Sequence, residues 1–377
     1  MYARLFPHHT ISIDEDRSTQ RGDPIPMPVI AHTILRDFGA AIFHAAGVPE
    51  DQARIAIDHL VEANLMGHDS HGIMRLPHYT RALVKGDIQP VGNQKVMRET
   101  PASLVLDANR SFGIVLTYTA MQMAVERAKQ HTFGAVAVHR SSHIGRLGAF
   151  PPLAAQQDCI GILMLNGGGR FTAPFGGTAR RLPPNPIAIS VPGPNGPAMM
   201  LDVTTSILAG GKMEVYKARN QPVPEGILVD KDGNSVTDPA LFLSGEAAML
   251  PLGGPMGYKG YGLGMMIDAI AGGLSWAGCS AEQPTRGGSG YLALAIKIES
   301  FIDLDEYKRE IQILIDWVKS SPTMPGVKKI YLPGEIEEEI KQKREVDGIS
   351  LEESTWQDIL AAAQEVNVAA PATVDGH

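Results

Sequence analysis

The spacing of apolar and polar positions along the chain predicts helices at both ends and strands between them. Apolar residues recur at helical intervals in two successive runs, one that ends at Gly47 and one that extends from Pro49 to Gly67. A third helix is predicted over residues 116–131. From residue 304 the sequence is mostly charged helix, interrupted at TMPG and at YLPGE. The two ends of the chain are therefore predicted to be helical.

The middle of the chain has the short apolar segments that are typical of strands. These segments read GAVAVHR, GILMLN, PIAISVP, AMMLDVTTS and GYLALAIKI, and together they predict a central sheet. The glycine-rich stretch PLGGPMGYKGYGLGMMIDAI reads as a loop that enters a helix. The fold class is therefore α/β of the α+β kind, with a helical part on each side of the sheet. We divide the chain into an N-terminal arm at 1–27, a helical N-terminal part at 28–115, a sheet domain at 116–300 and a helical C-terminal part at 301–377.

Composition narrows the class of protein and of partner. The 377 residues carry a formal net charge of −8 at pH 7, which argues against a nucleic-acid interface, because such an interface needs a basic face. The two cysteines, Cys159 and Cys279, are far apart and form no CxxC pair, so neither a disulfide framework nor a thiolate zinc site is predicted. We identify neither an export signal nor an apolar run long enough to span a membrane. We expect a cytoplasmic protein that acts on small molecules.

The stretch GHDSHGIMR concentrates groups that carry chemistry. His68, Asp69 and His71 have a spacing that would suit a metal ion, although no third ligand of the kind that HExxH motifs provide is evident. Arg75 follows His71 by four residues, so on a short helix both side chains would share one face. Arginine binds planar carboxylates with two hydrogen bonds, and histidine exchanges protons near neutral pH. The pair fits a carboxylate clamp beside a proton donor, with Ser70 orienting the imidazole or the substrate; a surface ion pair is the alternative.

Three further segments combine glycine with polar side chains. HRSSHIGRLGAF follows a predicted strand, where α/β enzymes tend to place ligands, and it offers His143 and Gly145. LDVTTSILAGGK ends a strand with hydroxyl groups and Lys212, and GGPMGYKGYGLG permits close backbone approach to a phosphate beside Lys259. Polar turns or a capped helix start would explain such segments almost as well. Neither GxGxxG nor GxSxG occurs in the chain, so a Rossmann fingerprint is absent and a serine hydrolase is disfavoured.

As an ordered set, these segments resemble the malate/L-lactate dehydrogenase family, which is distinct from the Rossmann lactate and malate dehydrogenases. The resemblance covers about residues 28–365 and is carried by DSHGIMRLPHY, SSHIGRLGAF, NPIAISVP with LDVTTSILAGGK, LPLGGPMGYKGYGLGMMIDAI and YLPGE. The family also includes ureidoglycolate, sulfolactate and diketogulonate enzymes and cyclic imino-acid reductases. The resemblance implies NAD(P)-dependent hydride transfer at C2 of a 2-hydroxy or 2-imino acid, a largely antiparallel dinucleotide-binding sheet, and a homodimer. The cofactor is expected to be NAD or NADP, with NAD favoured.

The resemblance also implies roles for individual residues. His71 would be the proton donor in reduction, with Ser70 as its relay, and Arg75 would hold the substrate carboxylate. In some relatives the acid/base role belongs to the histidine of the SSH segment, here His143, which would otherwise lie against the nicotinamide. Thr205 is expected to contact both substrate and cofactor. The expected cofactor contacts are His143, Gly145, Asp202, Thr205, Ser206, Lys259, Gly260, Gly334 and Glu335. No metal ion is required, and the imidazole would need little tuning, because its ordinary pKa lies near working pH.

One departure from the family pattern bears on the substrate. Cyclic imino-acid reductases of the family tend to carry an aspartate after A-x-G, and this chain has Lys212 there. We therefore favour 2-hydroxy and 2-oxo acids such as malate and lactate, and keep imine reduction as the alternative. Two remote alternatives are a metal-dependent hydrolase or lyase, which would use GHDSHG and His143, and a non-catalytic protein of the same fold. In NGGGR, the glycines would leave room for a larger substrate, or Arg170 would meet a second carboxylate.

Overall fold

The computed structural model describes residues 27–167, 169–283 and 289–372 of the chain. In chain order, the first elements are β1 (Val29–Ile30), α1 (His32–Ala45), α2 (Glu50–Leu65), α3 (Leu76–Val84), β2 (Lys95–Glu99), β3 (Ser103–Asp107), α4 (Gly113–His131), β4 (Phe133–Ser141), α5 (Pro152–Ala155) and β5 (Cys159–Asn166). They are followed by β6 (Ile187–Gly193), β7 (Gly196–Val203), α6 (Lys212–Ala218), β8 (Leu228–Asp230), β9 (Ser235–Val236), α7 (Pro239–Ser244), β10 (Ala247–Met249), α8 (Tyr258–Ile267) and α9 (Gly273–Ser275). The last are β11 (Ser289–Lys297), α10 (Leu304–Lys319), α11 (Glu335–Asp347), β12 (Ile349–Ser350) and α12 (Glu353–Glu365).

The N-terminal helices and the last helix share one hydrophobic core. The apolar faces of α1, α2 and α3 pack together with α12, because each helix repeats its apolar residues at helical spacing. Ile42 and Leu60 are fully buried in this core, and the Phe38 ring lies 6.0 Å from the Trp356 ring, centroid to centroid. β1 pairs antiparallel with β12, which joins the two ends of the described chain. The helical part is therefore built from both ends of the sequence.

Seven strands form the main sheet, in the order β2-β3-β4-β11-β5-β6-β7. Neighbouring strands are antiparallel except β3 and β4, which are parallel and are joined by α4, since a parallel pair needs a crossover. One face of the sheet packs against α4 and α5 around Met121 and Phe150. The other face packs against α8 around Ile267. The sheet is thus covered on both faces without the parallel order of a Rossmann fold.

A smaller unit stands beside the main sheet. β10, β8 and β9 form a three-stranded antiparallel sheet, and with α6 and α7 they enclose a core around Met213, Phe242 and Met249. Asp238 caps the start of α7, because its carboxylate accepts a hydrogen bond from the backbone N–H of Ala240. The turn that enters α6 contains the glycines of LDVTTSILAGGK. This unit therefore brings that segment next to the N-terminal helices.

The architecture confirms the predicted fold class, a mixed α/β arrangement with a largely antiparallel central sheet and helices before and after it in the chain. The five segments predicted as strands fall in β4, β5, β6, β7 and β11. β2 and β3, which the sequence analysis did not identify, lie within the range 28–115 and join the main sheet, so that part is not helical throughout. The arm expected at residues 1–27 lies outside the described residues except for Met27. Of the helices in the described part, none is long and apolar enough to cross a membrane.

Candidate active site

The segment GHDSHGIMR leaves α2 and folds as two short 3₁₀ turns, Asp69–His71 and Ile73–Arg75. The buried side chain of Asn64 holds both turns. Its Nδ2 donates to Asp69 Oδ1 at 2.6 Å, and its Oδ1 accepts from the backbone N–H of Ile73 at 2.6 Å. A buried amide with hydrogen bonds at both ends is costly to disturb. The loop that carries Ser70 and His71 is therefore fixed from within.

The C-terminal helix α11 holds the same loop from outside. Arg344 donates from Nη1 to Asp69 Oδ1 at 2.7 Å and from Nη2 to Asp69 Oδ2 at 3.2 Å, which is a bidentate pair. His68 Nε2 lies 3.7 Å from Glu337 Oε1. Two of the three groups in this loop that a metal site would use, His68 and Asp69, are therefore engaged with α11. Among the described residues, no group of three or more His, Cys, Asp or Glu side chains is arranged to hold a metal ion.

Ser70, His71 and Arg75 lie together, as the sequence predicts. Ser70 Oγ is 3.0 Å from His71 Nδ1, and Arg75 Nε donates to the Ser70 carbonyl at 2.7 Å. Gly211, in the turn before α6, packs against this pair: a Cβ there would lie 3.3 Å from Ser70 Cβ and 3.7 Å from Arg75 Nη2. The smaller unit thus forms one wall beside the arginine. Lys212, the next residue, is exposed at the start of α6.

A second histidine faces the first. His143 follows the end of β4, and its ring is nearly parallel to that of His71, with centroids 5.7 Å apart and an interplanar angle of 22°. His143 Nδ1 is 2.5 Å from the hydroxyl of Tyr79, a fully buried residue of α3. Two imidazoles and a guanidinium therefore converge on one partly exposed region between the N-terminal helices and the end of β4, which is called the cleft below.

Both imidazoles differ from the ordinary histidine that the sequence analysis expects. Burial, together with the nearby His143 and Arg75, lowers the pKa of His71 to about 3. Loss of hydration, together with the nearby Arg75 and His78, lowers the pKa of His143 to about 4. Both rings are therefore neutral at pH 7 in the free protein. The expectation of an untuned imidazole is wrong, because burial and the arginine act together.

A cavity of about 560 Å³ lies next to this cleft. His59 lies in its wall and accepts a hydrogen bond from the backbone N–H of Arg146 at 2.9 Å. The Arg146 side chain is only 4% exposed, and within the described part of the chain its Nε and Nη1 have no hydrogen-bond partner. Buried guanidinium N–H groups without an acceptor are costly, and an anionic ligand in the cavity would supply one. The other lining residues include Arg36, Asp58, Glu62, Tyr118, Met200, Pro333, Gly334, Glu335, Glu338 and Lys341.

Two of the expected cofactor contacts, Gly334 and Glu335, line this cavity, and a third, Asp202, contacts Gly148 in its wall. Asp202 Oδ2 accepts a hydrogen bond from the backbone N–H of Gly148 at 2.6 Å, and burial raises the pKa of its carboxyl while Arg146 opposes the rise. Gly334 has a φ of 94° and packs against Met200, a residue of β7. Glu335 begins α11 at the rim. Strand β7 and the segment YLPGE, far apart in sequence, therefore meet here.

Other expected contacts have roles within the protein. Thr205 Oγ1 donates to the Pro184 carbonyl at 2.8 Å, and Ser206 Oγ donates to the Leu208 carbonyl at 2.6 Å. These hydroxyls shape the loop after β7. Cofactor contact by either residue stays a prediction.

The glycines and cations on the expected list are also accounted for in part by packing. Gly145 has a φ of 73°, and a Cβ there would lie 2.1 Å from His59 Nε2. A Cβ on Gly260 would lie 2.2 Å from the Leu252 carbonyl oxygen, so this glycine serves helix packing, while Lys259 beside it is exposed. Arg170 donates to the backbone carbonyls of Ala281 and Glu282.

Sequence reasoning missed Asn64, Tyr79 and Arg146. Tyr79 follows Arg75 by four residues, so helical spacing alone would have placed it on the same face. Arg146 lies in the quoted segment SSHIGRLGAF, but its burial depends on contacts with α2 that local sequence does not reveal. Asn64 reads as an ordinary helix-end residue.

Comparison with known proteins gives the family. The sequence profile of the malate/L-lactate dehydrogenase family matches residues 30–360. The chain is 39% identical over 328 residues to L-sulfolactate dehydrogenase of Methanocaldococcus jannaschii, covering 85% of this chain and 92% of that protein. It is 33% identical over 349 residues to L-lactate dehydrogenase of Cupriavidus necator, covering 91% and 99% of the two chains.

The solved structures agree with the sequence matches. The crystal structure of malate dehydrogenase from Entamoeba histolytica has a TM-score of 0.86 and 32% identity, and the match covers 92% of this chain and 99% of that one. A δ1-piperideine-2-carboxylate reductase from Pseudomonas syringae has a TM-score of 0.75 at 23% identity, which shows a shared fold alone. The resemblance noted in the sequence is confirmed, and the chain belongs to the malate/L-lactate dehydrogenase family.

Proposed function

We propose that this chain transfers hydride between a nicotinamide cofactor and C2 of a 2-hydroxy or 2-oxo acid, with malate, lactate and sulfolactate as the substrate types. Relatives that carry these dehydrogenase names match across most of the chain. The observation that carries the proposal is the placement of Arg75 beside two neutral, facing imidazoles. This arrangement combines a carboxylate-binding group with proton-exchanging groups in one cleft.

The residues at the cavity fit a nicotinamide dinucleotide. Its pyrophosphate would accept hydrogen bonds from Nε and Nη1 of the buried Arg146 side chain, which find no acceptor in the described part of the chain. Gly334 and Glu335 line the same cavity, as does Gly148, which donates its backbone N–H to Asp202. When bound, the nicotinamide supplies or accepts the hydride. NAD and NADP are both compatible with this reading, and we favour NAD.

Arg75 would hold the C1 carboxylate of the substrate. Its Nε is bonded to the Ser70 carbonyl, which fixes the guanidinium plane and leaves the two terminal nitrogens for a bidentate contact. Because the same bond joins Arg75 to the residue before His71, the clamp and the imidazole keep a constant separation. Such fixed placement contributes to catalysis by removing the need to orient the substrate in solution.

His71 would exchange the proton on the C2 oxygen. In the oxidation direction a neutral imidazole is the form that accepts a proton, and the low pKa of His71 keeps it neutral at pH 7. A substrate carboxylate against Arg75 offsets the positive charge that lowers the pKa of His71, so binding raises that pKa toward neutrality. Ser70 would accept from Nδ1–H, which leaves Nε2 unprotonated for the substrate.

The setting of the enzyme is part of the same proposal. We infer a homodimer that works in the cytoplasm and binds neither nucleic acid nor membrane, in agreement with the net charge of −8. Cyclic imine reduction is the second reaction to test, because one solved relative of this fold is named for it. The presence of Lys212 at the position where such reductases carry an aspartate is our reason for ranking it second.

The test is oxidation of NADH and of NADPH, followed by absorbance, with pyruvate, oxaloacetate, 3-sulfopyruvate and a cyclic imino acid as separate substrates. We expect turnover on at least one 2-oxo acid. His71→Ala should lower kcat by about 100-fold or more and leave the Kd for NADH within about twofold. Turnover on the cyclic imine alone would contradict the substrate class. Absence of NADH and NADPH binding would contradict the whole proposal.

A further inference from the structure

The mechanism above leaves the environment of Tyr79 unexplained. This side chain is fully buried, and its ring packs against Phe112 with centroids 5.4 Å apart. Its hydroxyl ends 2.5 Å from His143 Nδ1, a contact between residues 64 positions apart in sequence. A phenol in an apolar surrounding needs a partner for its hydroxyl, and an imidazole nitrogen provides one. The question is which of the two groups carries the shared proton.

The surroundings of Nδ1 answer it. The backbone N–H of Gly145 also points at His143 Nδ1, at 3.4 Å, so a proton on Nδ1 would face a second N–H group. Burial raises the pKa of Tyr79 well above its usual range, so the phenol keeps its proton and has one to donate. Two donors on one nitrogen identify that nitrogen as the acceptor. The ring proton of neutral His143 therefore sits on Nε2.

We propose that Tyr79 is a positioning residue that fixes His143 as its Nε2–H tautomer, so that His143 donates a hydrogen bond to the C2 oxygen while His71 exchanges the proton. This inference rests on the proposed function for the identity of the C2 oxygen. It assigns different roles to His71 and His143, whereas the sequence leaves open which of the two is the acid/base. It also makes Tyr79→Phe a change at the site that removes no group in contact with substrate.

The division of roles follows from which nitrogen is available. Nδ1 of His143 is directed at Tyr79, so Nε2 is the ring nitrogen left to face the cleft. A neutral Nε2–H donates to a carbonyl or alkoxide oxygen and has no lone pair with which to take up the alcohol proton. In reduction, hydride adds to C2, the C2–O double bond becomes single, and the oxygen receives its proton from His71. His143 keeps its own proton throughout and stabilises the charge that develops on oxygen.

The direct test is the tautomer itself, read in the full-length free protein. Protein labelled with ¹⁵N at histidine gives two-bond ¹H–¹⁵N correlations that distinguish a protonated from an unprotonated ring nitrogen. The His143 signals are those that disappear in His143→Gln. At pH 7 we expect wild-type His143 to show Nε2 protonated and Nδ1 unprotonated. A wild-type Nδ1–H tautomer would overturn the proposal without any variant having to fold.

The variant test asks whether the phenol hydroxyl sets this state. In Tyr79→Phe we expect the Nδ1–H form to appear in His143, and we expect kcat/KM for the oxo acid to fall about 10-fold or more, mainly through kcat. The matched control is Tyr291→Phe, since Tyr291 is equally buried but lies in the core between α4 and the main sheet. The control should change neither the His143 signals nor the rate. An unchanged tautomer in Tyr79→Phe would contradict the positioning role.

These outcomes are separable from failure of the proposed function. The tautomer is measured without cofactor or substrate, so it stands or falls on the contact between Tyr79 and His143 alone. If the protein turned over no 2-oxo acid yet showed the Nε2–H form, the function would be wrong and the tautomer assignment right. If turnover were normal and the form were Nδ1–H, the reverse would hold.

Discussion

The sharpest consequence of the structure concerns the pH dependence of oxidation. An unperturbed histidine has a pKa of 6.5, whereas burial and the neighbouring cations bring His71 to about 3 and His143 to about 4. The base in oxidation must be neutral in the free enzyme for kcat/KM to reach its plateau. We therefore expect the acid limb of kcat/KM to lie near pH 4 or below. Because the two rings lie 5.7 Å apart, the limb reports the pair and not one residue.

The size of the effect follows from these values. At pH 5 a histidine of pKa 6.5 would be about 3% neutral, whereas the base His71, with a pKa of about 3, would be about 99% neutral. The two cases therefore differ by roughly 30-fold in kcat/KM at pH 5 relative to the plateau. The carboxylate of a 2-hydroxy acid is still largely ionised at that pH, so loss of the Arg75 contact does not interfere.

The assay is initial-rate oxidation of the best hydroxy acid, at low substrate concentration, from pH 8 down to pH 5. Stability needs a control, because folded His71 stays neutral while unfolded histidine binds a proton below pH 6.5. The contribution of His71 to the free energy of unfolding is thus fully present above pH 6.5. It declines as the pH falls from there toward 3, by up to about 1.4 kcal/mol per pH unit. Enzyme held at each pH and returned to pH 7 must regain full activity. An acid limb between pH 6 and 7 in such protein would refute the reasoning.

Three substitutions test the remaining contacts. Arg75→Lys should lower kcat/KM about 10- to 100-fold, mostly through KM, because an ammonium makes one of the two charged hydrogen bonds that a guanidinium makes. An unchanged KM would show that Arg75 does not bind the substrate carboxylate. Asn64→Ala should lower the free energy of unfolding in urea by about 1–3 kcal/mol, since the Ile73 N–H loses its buried acceptor, and should reduce kcat as well. Arg146→Met should raise the Kd for NADH about 10-fold or more, measured by fluorescence, and a wild-type Kd would place the pyrophosphate elsewhere.

The sequence was most informative where a local period determines the structure. The runs that end at Gly47 and Gly67 correspond to α1 and α2, because an amphipathic helix needs only its own spacing to be read. β2 was not identified because it lies at the edge of the sheet and all its residues are exposed, so it has no apolar alternation. β2 is a strand because it pairs with β3, and such a tertiary contact is not visible in the local sequence.

In the candidate site, too, contacts within one short segment could be predicted and contacts between distant segments could not. Ser70, His71 and Arg75 could be placed together because they lie within one short segment, and the structure brings them into contact. The contact of Tyr79 with His143 depends on how α3 packs against the end of β4. Glycines were the least reliable indicators of ligand contacts, because a glycine is needed wherever either a ligand or another part of the protein approaches the backbone closely. At Gly145 the close neighbour belongs to the protein itself.

Helix α11 connects the cavity to the loop that carries His71. Its first turns line the cavity through Glu335 and Lys341, and its last turn holds the loop through the bidentate contact of Arg344 with Asp69. Lys341 also donates to Glu62 of α2 at 2.7 Å, so the helix is joined to the N-terminal helices at two levels. A dinucleotide in the cavity would therefore rest on the same rigid element that sets the position of His71. The distance between cofactor and proton-exchanging group is then fixed by one helix and does not depend on the loop alone.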